Sequence, residues 1–232
     1  MRTLGMLGGM SWESTAVYYR LINQAVAAQA GGLHSAPLLV HSLDFASVAA
    51  AQARGDWPGL ADCLGGAAAG LVHAGAGAVL IATNTMHKVA AEVQAAAGVP
   101  LLHIGDATGA ALRAAGVRRA GLLGTRFTME DPSVLRAHLA ERHGVATLVP
   151  DDAARTEVHR VIYEELCRGR IDDGSRARFA GIIDALRREG AEAVILGCTE
   201  IGLLIGAGDS PLPAFDTTTL HAATAADWIL ST

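Results

Sequence analysis

The sequence predicts an α/β protein with two similar lobes, each a parallel sheet flanked by helices. Short apolar runs typical of buried strands alternate with longer segments of helical periodicity. The helix-turn-strand segment at 71–85 aligns without a gap with 186–200, and Leu, Gly, Ala, Ala and Val coincide. A weaker repeat relates 5–8 to 121–124. Chance recurrence of a common α/β pattern is the alternative, but the constant offset favours an internal duplication.

Composition narrows the class of partner. The chain has 232 residues, 51% of them hydrophobic, but no apolar run long enough to span a membrane. The net charge is −5 and the basic residues form no long cluster, so neither nucleic acid nor a membrane surface is an expected partner. The first residues are typical of a strand and not of a signal peptide, and a cytoplasmic location is expected. Three scattered cysteines argue against a disulfide framework.

The first lobe is predicted to cover 1–101 together with 211–232. Its strands are expected at 3–7, 37–42, 77–82 and from Leu101, with helices between them, and 211–215 is expected to be a last strand before a closing helix. The Gly8-Gly9 turn after the first strand is either a ligand loop or a tight βα turn. It does not match the dinucleotide pattern, and Asp44 follows it by too many residues, so nicotinamide binding is not favoured.

The second lobe is predicted to cover 102–210. Strands are expected at 119–123, at 145–149 and in the apolar run from Val194, and helices at 106–115, 132–142, 152–167 and 174–189. In the long helix from Asp152, Val158, Ile162 and Leu166 are predicted to be buried. Cys63, in the Ala- and Leu-rich helix of the first lobe, is expected in the core.

Cys198 is the leading candidate for chemistry. It follows a buried strand immediately, and residues at the carboxyl ends of parallel strands face the crevice where ligands bind. A helix opening at Thr199 and Glu200 would aim its first amides at that crevice and favour a thiolate. An inert buried cysteine is the alternative. By the duplication Thr83 is the equivalent residue, and a cleft between the lobes would present the two from opposite sides.

Small polar side chains mark two further strand ends. Thr83, Asn84 and Thr85 follow one strand, and Thr125 and Thr128 follow another. These hydroxyl and amide groups suit recognition of carboxylate and ammonium groups, although a helix-capping role is equally simple.

No metal and no cofactor are predicted. The nine histidines lack zinc-site spacing, and His138 and His143, five residues apart, are not expected to share a helix face. Lys88 is the single lysine in the chain, and therefore the single side chain that could hold pyridoxal phosphate.

Three segments resemble the aspartate/glutamate racemase family: GGMSWEST at 8–15, TNTMHK at 83–88 and GCTE at 197–200. The resemblance covers essentially the whole chain. It implies two pseudosymmetric Rossmann-like lobes with the active site in the cleft between them, a cofactor-independent reaction on a small acidic amino acid, and a homodimer. It also implies that two cysteines flank the substrate Cα, one removing the proton and the other returning one, and that a set of side chains binds the substrate: Ser11, Gln52, Asn84, Thr85 and Thr199, to which Thr125 and Glu200 are added here.

The chain departs from the family pattern twice. Thr83 stands where the first catalytic cysteine is usual, and Cys167 stands where some members have a lysine for the substrate side-chain carboxylate. Cys198 is therefore expected to be the base on the L-face, with Thr83 as proton donor, its hydroxyl relaying a proton from His87 or an adjacent acid. A one-cysteine decarboxylase of the same superfamily and a binding protein that has lost catalysis remain open as alternatives.

Overall fold

The computed structural model describes residues 1–206 and 208–231, and the chain divides into two compact units. The first comprises Met1–His103 and the residues from His221 onward, and the second comprises Ile104–Leu220. Each unit contains a four-stranded parallel sheet flanked by helices, so the predicted fold class is confirmed. The sequence-based boundary at 210/211 differs from this division, because the strand after it joins the sheet of the second unit.

The first sheet has the order β2-β1-β3-β4. Its elements are β1 (Leu4–Gly8), α1 (Trp12–Ala30), β2 (Leu38–Ser42), α2 (Phe45–Arg54), α3 (Trp57–His73), β3 (Ala78–Ile81), a 3-10 turn (Thr85–Val89), α4 (Ala90–Ala97) and β4 (Leu101–Leu102). Leu4 and Met6 of β1 pack with α1, and Leu7 packs on the opposite face with α3. Both faces are thus buried, which is why β1 and β3 are continuous apolar runs.

The second sheet repeats that order as β6-β5-β7-β8. Its elements are α5 (Ile104–Ala114), β5 (Arg119–Gly124), α6 (Arg126–Glu130), α7 (Arg136–His143), β6 (Ala146–Leu148), α8 (Asp152–Glu164), a 3-10 turn (Leu166–Arg168), α9 (Asp173–Arg188), β7 (Ala193–Gly197), α10 (Ile201–Leu204), β8 (Ala214–Asp216) and α11 (Thr217–Leu230), the last continuing into the first unit. One face packs against α8 and α9 and the other against α5 and α7.

The duplication extends to individual backbone hydrogen bonds. Ala76 N donates to Leu71 O at 3.0 Å, and its counterpart Ala191 N donates to Leu186 O at the same distance. The glycines between them, Gly75 and Gly190, have φ of 106° and 95°, a conformation that favours glycine. The repeated sequence therefore encodes the same helix-to-strand turn in both units.

Several expected elements differ in detail. The helix predicted at 132–142 begins later, as α7, and is preceded by a short helix, α6, that was not predicted. The helix predicted at 152–167 ends at Glu164 and is followed by a 3-10 turn. The buried positions predicted for this segment, Val158, Ile162 and Leu166, are confirmed, the last of them in the 3-10 turn. Cys63 is exposed on α3, so its expected place in the core is wrong.

Candidate active site

Cys198 follows the carboxyl end of β7, at the point in the second sheet where the order of strand addition reverses. β5 and β7 are neighbours whose connections leave on opposite sides, and such a switch point is where parallel sheets bind ligands. Gly124 pairs with Gly197 at this end. A Cβ on Gly197 would lie 2.9 Å from Leu123 O, so glycine here lets the strands close and fixes the start of the Cys198 loop.

A single buried carboxylate gathers the polar groups of this loop. Cys198 Sγ donates to Glu200 Oε2 at 2.9 Å, and Thr199 Oγ1 donates to the same oxygen at 2.6 Å. The side chain of Cys167 is also hydrogen-bonded to Glu200. Because Glu200 is only 2% exposed, water does not replace these donors, and the thiol and hydroxyl groups are held in place around it.

The environment keeps Cys198 as a neutral thiol. Burial, and then the negative charge of Glu200, raise the pKa of the Cys198 thiol well above its usual value. The expectation that the loop favours a thiolate is therefore wrong for this arrangement. The helix that follows, α10, has four residues, and its dipole does not outweigh desolvation and a carboxylate at hydrogen-bonding distance.

The end of α8 and the 3-10 turn that follows it supply a phenol, Tyr163, and a second thiol, Cys167, to the same region. Burial is the main cause that raises the pKa of Cys167, followed by the charge of Glu200. Burial also raises the pKa of Tyr163, with Cys198 as the next cause. Sequence reasoning missed Tyr163. Its position four residues before Cys167 was the available signal, since side chains at that spacing share a helix face.

Thr125 lies at the end of β5, on the same sheet edge as Cys198. It caps α6, with its Oγ1 accepting from Thr128 N at 3.3 Å, and the two threonine hydroxyls are 3.1 Å apart. The capping alternative is thus realised, and it orients Thr125 at the carboxyl edge of the sheet.

In the first unit, the equivalent edge carries the turn after β1. Ser11 caps α1, with Ser14 N donating to its Oγ at 3.4 Å. Thr15 Oγ1 accepts from Gly9 N and donates to Ser11 O, both at 2.8 Å. Gly9 has φ of 84°, and a Cβ there would lie 2.1 Å from Leu43 O. The glycine pair therefore permits a closed turn that places Ser11 at the strand end.

Thr83 follows β3 on that edge and is half-buried, whereas Asn84 and Thr85 are buried. The carbonyl oxygen of Thr83 is 2.9 Å from His87 Nδ1. Because a carbonyl only accepts, Nδ1 must carry the proton. Burial, and then His103, lower the pKa of His87 well below its usual value, so the ring is neutral. His87 Nδ1 is thus used to bind the Thr83 backbone carbonyl. It therefore does not supply a proton to the Thr83 hydroxyl.

Gln52 approaches the same segment from α2. Its Nε2 lies 3.1 Å from Met86 Sδ, and the side chain is buried. The predicted site residues thus form two groups, one in each unit: Ser11, Gln52, Thr83, Asn84 and Thr85 in the first, and Thr125, Cys167, Cys198, Thr199 and Glu200 in the second.

Two histidines outside these groups, His138 and His143, contact the same carboxylate. His138 Nε2 and His143 Nε2 are 2.7 and 3.1 Å from Asp106 Oδ1. Asp106 of α5 thus contacts both histidines of α7. Lys88 Nζ lies 4.3 Å from the centre of the Trp57 ring, a cation–π contact. In the part of the chain that the structure describes, no helix is long and apolar enough to cross a membrane.

A sequence model of the Asp/Glu/hydantoin racemase family matches residues 7–225. The chain belongs to this family. Members of the Asp/Glu racemase group are isomerases, and the chain is an enzyme of that class.

Solved structures agree with the racemase assignment. A candidate Asp/Glu racemase from Yersinia pestis is 51% identical over the full length of both chains, with a TM-score of 0.92. An aspartate racemase homologue from Pyrococcus horikoshii is 32% identical, again over both full lengths, with a TM-score of 0.83. Aspartate racemase from Picrophilus torridus shares the fold at 17% identity, with a TM-score of 0.74. The match covers 98% of the present chain and 95% of the Picrophilus chain.

Proposed function

We propose that this enzyme racemises aspartate, glutamate or both without a cofactor, by moving a proton at Cα. The observation that carries the proposal is the Cys198 thiol, at a strand end and 2.9 Å from the buried Glu200 carboxylate. A neutral thiol that already points its proton at an acceptor can become a base when substrate binds.

The reaction on the L-enantiomer begins with Glu200 taking the thiol proton. The Cys198 thiolate then removes the α-proton, which leaves a carbanion beside the substrate carboxylate. Hydroxyl, amide and backbone donors stabilise that charge. Thr83 gives its hydroxyl proton to the opposite face of Cα and takes one back from water. Cys198 is by then a neutral thiol again, and Glu200 releases to the solvent the proton that it took, which returns the pair to its starting state. No net oxidation or reduction occurs.

Substrate binding is assigned to the polar residues of the two groups. Asn84, Thr85 and Thr199 would hold the α-carboxylate and ammonium, with Ser11, Gln52 and Thr125 as further donors. Cys167 stands where some members have a cationic side chain, so the side-chain carboxylate of the substrate is bound by neutral donors in this proposal. Burial makes such bonds stronger than at the surface, since fewer waters compete.

A second candidate, decarboxylation of a substituted malonate, is favoured by one observation: Thr83 leaves a single thiol at the two equivalent strand ends. A ligand-binding protein without catalysis is the third. The polar segment from Asn84 to Lys88, which resembles that of racemases, favours the first candidate.

The test is proton NMR of L-aspartate and of L-glutamate incubated with the enzyme in D2O. Loss of the Cα proton signal, with D-enantiomer formed, is expected. An intact Cα signal together with carbon dioxide release from a substituted malonate would favour the decarboxylase. An intact Cα signal together with amino-acid binding measured by calorimetry would indicate a binding protein without catalysis. Because no metal takes part in the proposed reaction, activity is expected to survive exhaustive chelation. The cytoplasmic location and the homodimer remain predictions.

A further inference from the structure

Three side chains of the second unit that can bind a metal converge between α5 and α7. Asp106 lies in the first turn of α5, and His138 and His143 lie on α7. His138 Nε2 is 2.7 Å and His143 Nε2 is 3.1 Å from the same oxygen, Asp106 Oδ1. Two imidazoles and a carboxylate are a common set of protein ligands for a divalent transition metal. This cluster is separate from the two groups of predicted site residues described above.

The spacing of these groups is close to that of a tetrahedral zinc site. Bonds of about 2.0–2.1 Å from Zn²⁺ to its ligands put neighbouring ligand atoms roughly 3.3 Å apart and the centres of two bound histidine rings roughly 5 Å apart. The two nitrogen–oxygen distances, 2.7 and 3.1 Å, are slightly shorter than this value. The centres of the His138 and His143 rings are 5.9 Å apart. Shifts of less than about 1 Å would therefore arrange the three groups around one metal.

The packing of α5 against α7 holds the two rings in place. A Cβ on Gly109, which follows Asp106 by three residues on α5, would lie 2.2 Å from His143 Cγ, so glycine at this position makes room for the ring. The side chains of His143 and His138 are 8% and 17% exposed, whereas that of Asp106 is 46% exposed. The histidines are therefore preorganised, and the open carboxylate side offers an entry path and room for a water as the fourth ligand.

We propose that Asp106, His138 and His143 bind one Zn²⁺ or a similar divalent transition metal, which joins α5 to α7. Two nitrogens and one oxygen suit Zn²⁺, whereas Mg²⁺ and Ca²⁺ prefer oxygen ligands alone. The metal has a structural role in this proposal, because its ligands lie outside the groups that bind and deprotonate the substrate. Binding to the folded chain alone would stabilise the contact between the two helices.

The spacing of the histidines in the sequence does not indicate this site. Residues five apart on a helix do not share a face, and the usual zinc patterns place pairs of ligands two to five residues apart at suitable positions. Here the carboxylate comes from another helix, since Asp106 precedes His138 by 32 residues, and it contacts both rings. The prediction of no metal was based on spacing along the chain, whereas these ligands converge only in the folded structure.

One cation competes with a metal for the carboxylate. Arg142 Nε lies 3.4 Å from Asp106 Oδ1, and the arginine side chain is 65% exposed. An ion pair at the surface contributes little free energy, so Arg142 can turn toward solvent when a metal takes its place. Removal of the Arg142 charge should therefore strengthen metal binding. A general loosening of the helix contact by the same substitution would weaken binding instead, so this variant separates the two effects.

The test is a titration of the metal-free protein with Co²⁺, followed by visible absorbance and by competition with Zn²⁺. One Co²⁺ per chain is expected to bind, with the absorbance of a four-coordinate ion that has nitrogen and oxygen ligands. His138→Ala and Asp106→Asn should each weaken binding at least about tenfold, since even loss of a hydrogen bond to a ligand costs that much. Arg142→Gln should strengthen it roughly threefold. Zn²⁺ should also slow hydrogen exchange in peptides from α5 and α7.

The matched control is His159→Ala, which removes a half-buried histidine on α8 and should leave Co²⁺ binding unchanged. His143 is the most buried of the three ligands, so the variants at the more exposed His138 and Asp106 decide the result.

Three results would overturn the proposal. They are a lack of saturable Co²⁺ binding, binding that neither His138→Ala nor Asp106→Asn weakens, and the intense near-ultraviolet absorbance of Co²⁺–thiolate bonds, which would place the metal at the cysteines. Unchanged hydrogen exchange in α5 and α7 would contradict the structural role. The inference does not rest on the proposed chemistry, since its readout is metal binding, and Cα exchange is expected to persist in the metal-free protein.

Discussion

The two units have the same strand order and the same helix-to-strand turn, yet their equivalent strand ends differ in chemistry. The end of β7 carries Cys198 with a buried carboxylate as its acceptor. The end of β3 carries Thr83, whose backbone is held by a neutral histidine. A shared scaffold thus supports a group that can become a base on one side and a group that can only donate or relay a proton on the other. The comparison shows that duplicated architecture fixes where the reactive side chain stands but not what it does.

Removing the Cys198 thiol should have the largest effect on activity, because only this strand end carries the proposed base. Cys198→Ala deletes the proposed base, so Cα deuterium exchange should fall by about 10³-fold, within the range attributed to general-base catalysis. The matched control is Cys63→Ala, which removes an exposed thiol on α3 and should leave exchange unchanged. Exchange at the wild-type rate in Cys198→Ala would rule out this residue as the base.

Glu200→Gln should separate the acceptor from the thiol. The amide cannot take the thiol proton, and exchange should fall by about 10²-fold at neutral pH. Loss of the negative charge should also lower the pKa of Cys198, because that charge is one of the causes that raise it. Thiolate absorbance near 240 nm during a pH titration measures the shift; a purely structural role would not move it toward lower pH.

The control for that variant is Glu165→Gln. Glu165 is also buried, but it accepts from Ser175 Oγ at 2.6 Å and pairs with Arg160. It should leave the Cys198 titration in place. An equal shift in both variants would mean that any lost carboxylate in this unit perturbs the thiol.

Thr83→Cys would make the two strand ends chemically alike. If the geometry suits a thiol, kcat should rise about tenfold in both directions, since a thiol exchanges protons far more readily than a hydroxyl. Both directions must change together because the equilibrium between enantiomers is fixed. Initial rates with L- and D-aspartate and with L- and D-glutamate provide the measurement. A lower rate in both directions would show that Thr83 positions other groups in a way that a thiol does not.

The first unit should respond to acid more than the second. Tyr18 OH is 3.0 Å from His221 Nδ1, His221 Nε2 is 2.8 Å from Leu102 O, and burial lowers the pKa of His221 to about 4. The unfolded chain, with a histidine pKa near 6.5, takes up the proton first as pH falls. The stabilisation is therefore full above about pH 6.5 and is lost toward pH 4, amounting to about 1 kcal/mol between pH 7 and 5.5.

Hydrogen exchange measured by mass spectrometry at pH 7 and 5.5 tests this prediction, after correction for the intrinsic rate. Peptides from β1 and α11 should lose protection more than peptides from β5 and α9. In His221→Gln the pH dependence should be weaker, whereas the exposed His34→Gln should leave it unchanged. The same loss of protection in both units would contradict a local origin at His221.

Much of the fold followed from the sequence because the strands are short apolar runs and the duplication supplied an independent check. The strand ends that carry Thr83 and Cys198 were predictable for the same reason. The surface position of Cys63 was not: α3 is rich in alanine and glycine on every face, so its periodicity does not separate core from solvent. The short helix α6 also went unseen, since the Thr125 cap that begins it depends on the local backbone.

The protonation state of Cys198 could not be predicted from the sequence either. Glu200 lies two residues after Cys198, and its role as acceptor depends on how the loop folds back, not on spacing. Desolvation of the thiol requires the packed surroundings contributed by Tyr163 and Cys167. Sequence motifs therefore indicated the reactive residue, whereas its protonation state emerged only from the tertiary structure.

The exposure of Cys63 has a practical consequence. The three thiols form a depth series, with Cys63 at the surface, Cys167 half-buried and Cys198 buried. A bulky maleimide dye should therefore attach to Cys63 first under native conditions, which gives a singly labelled protein without any engineered cysteine. The same reagent added to unfolded chain should react at all three positions. Cys63 thus serves as a natural site for a fluorescent label, and the number of labelled thiols reports the extent of unfolding.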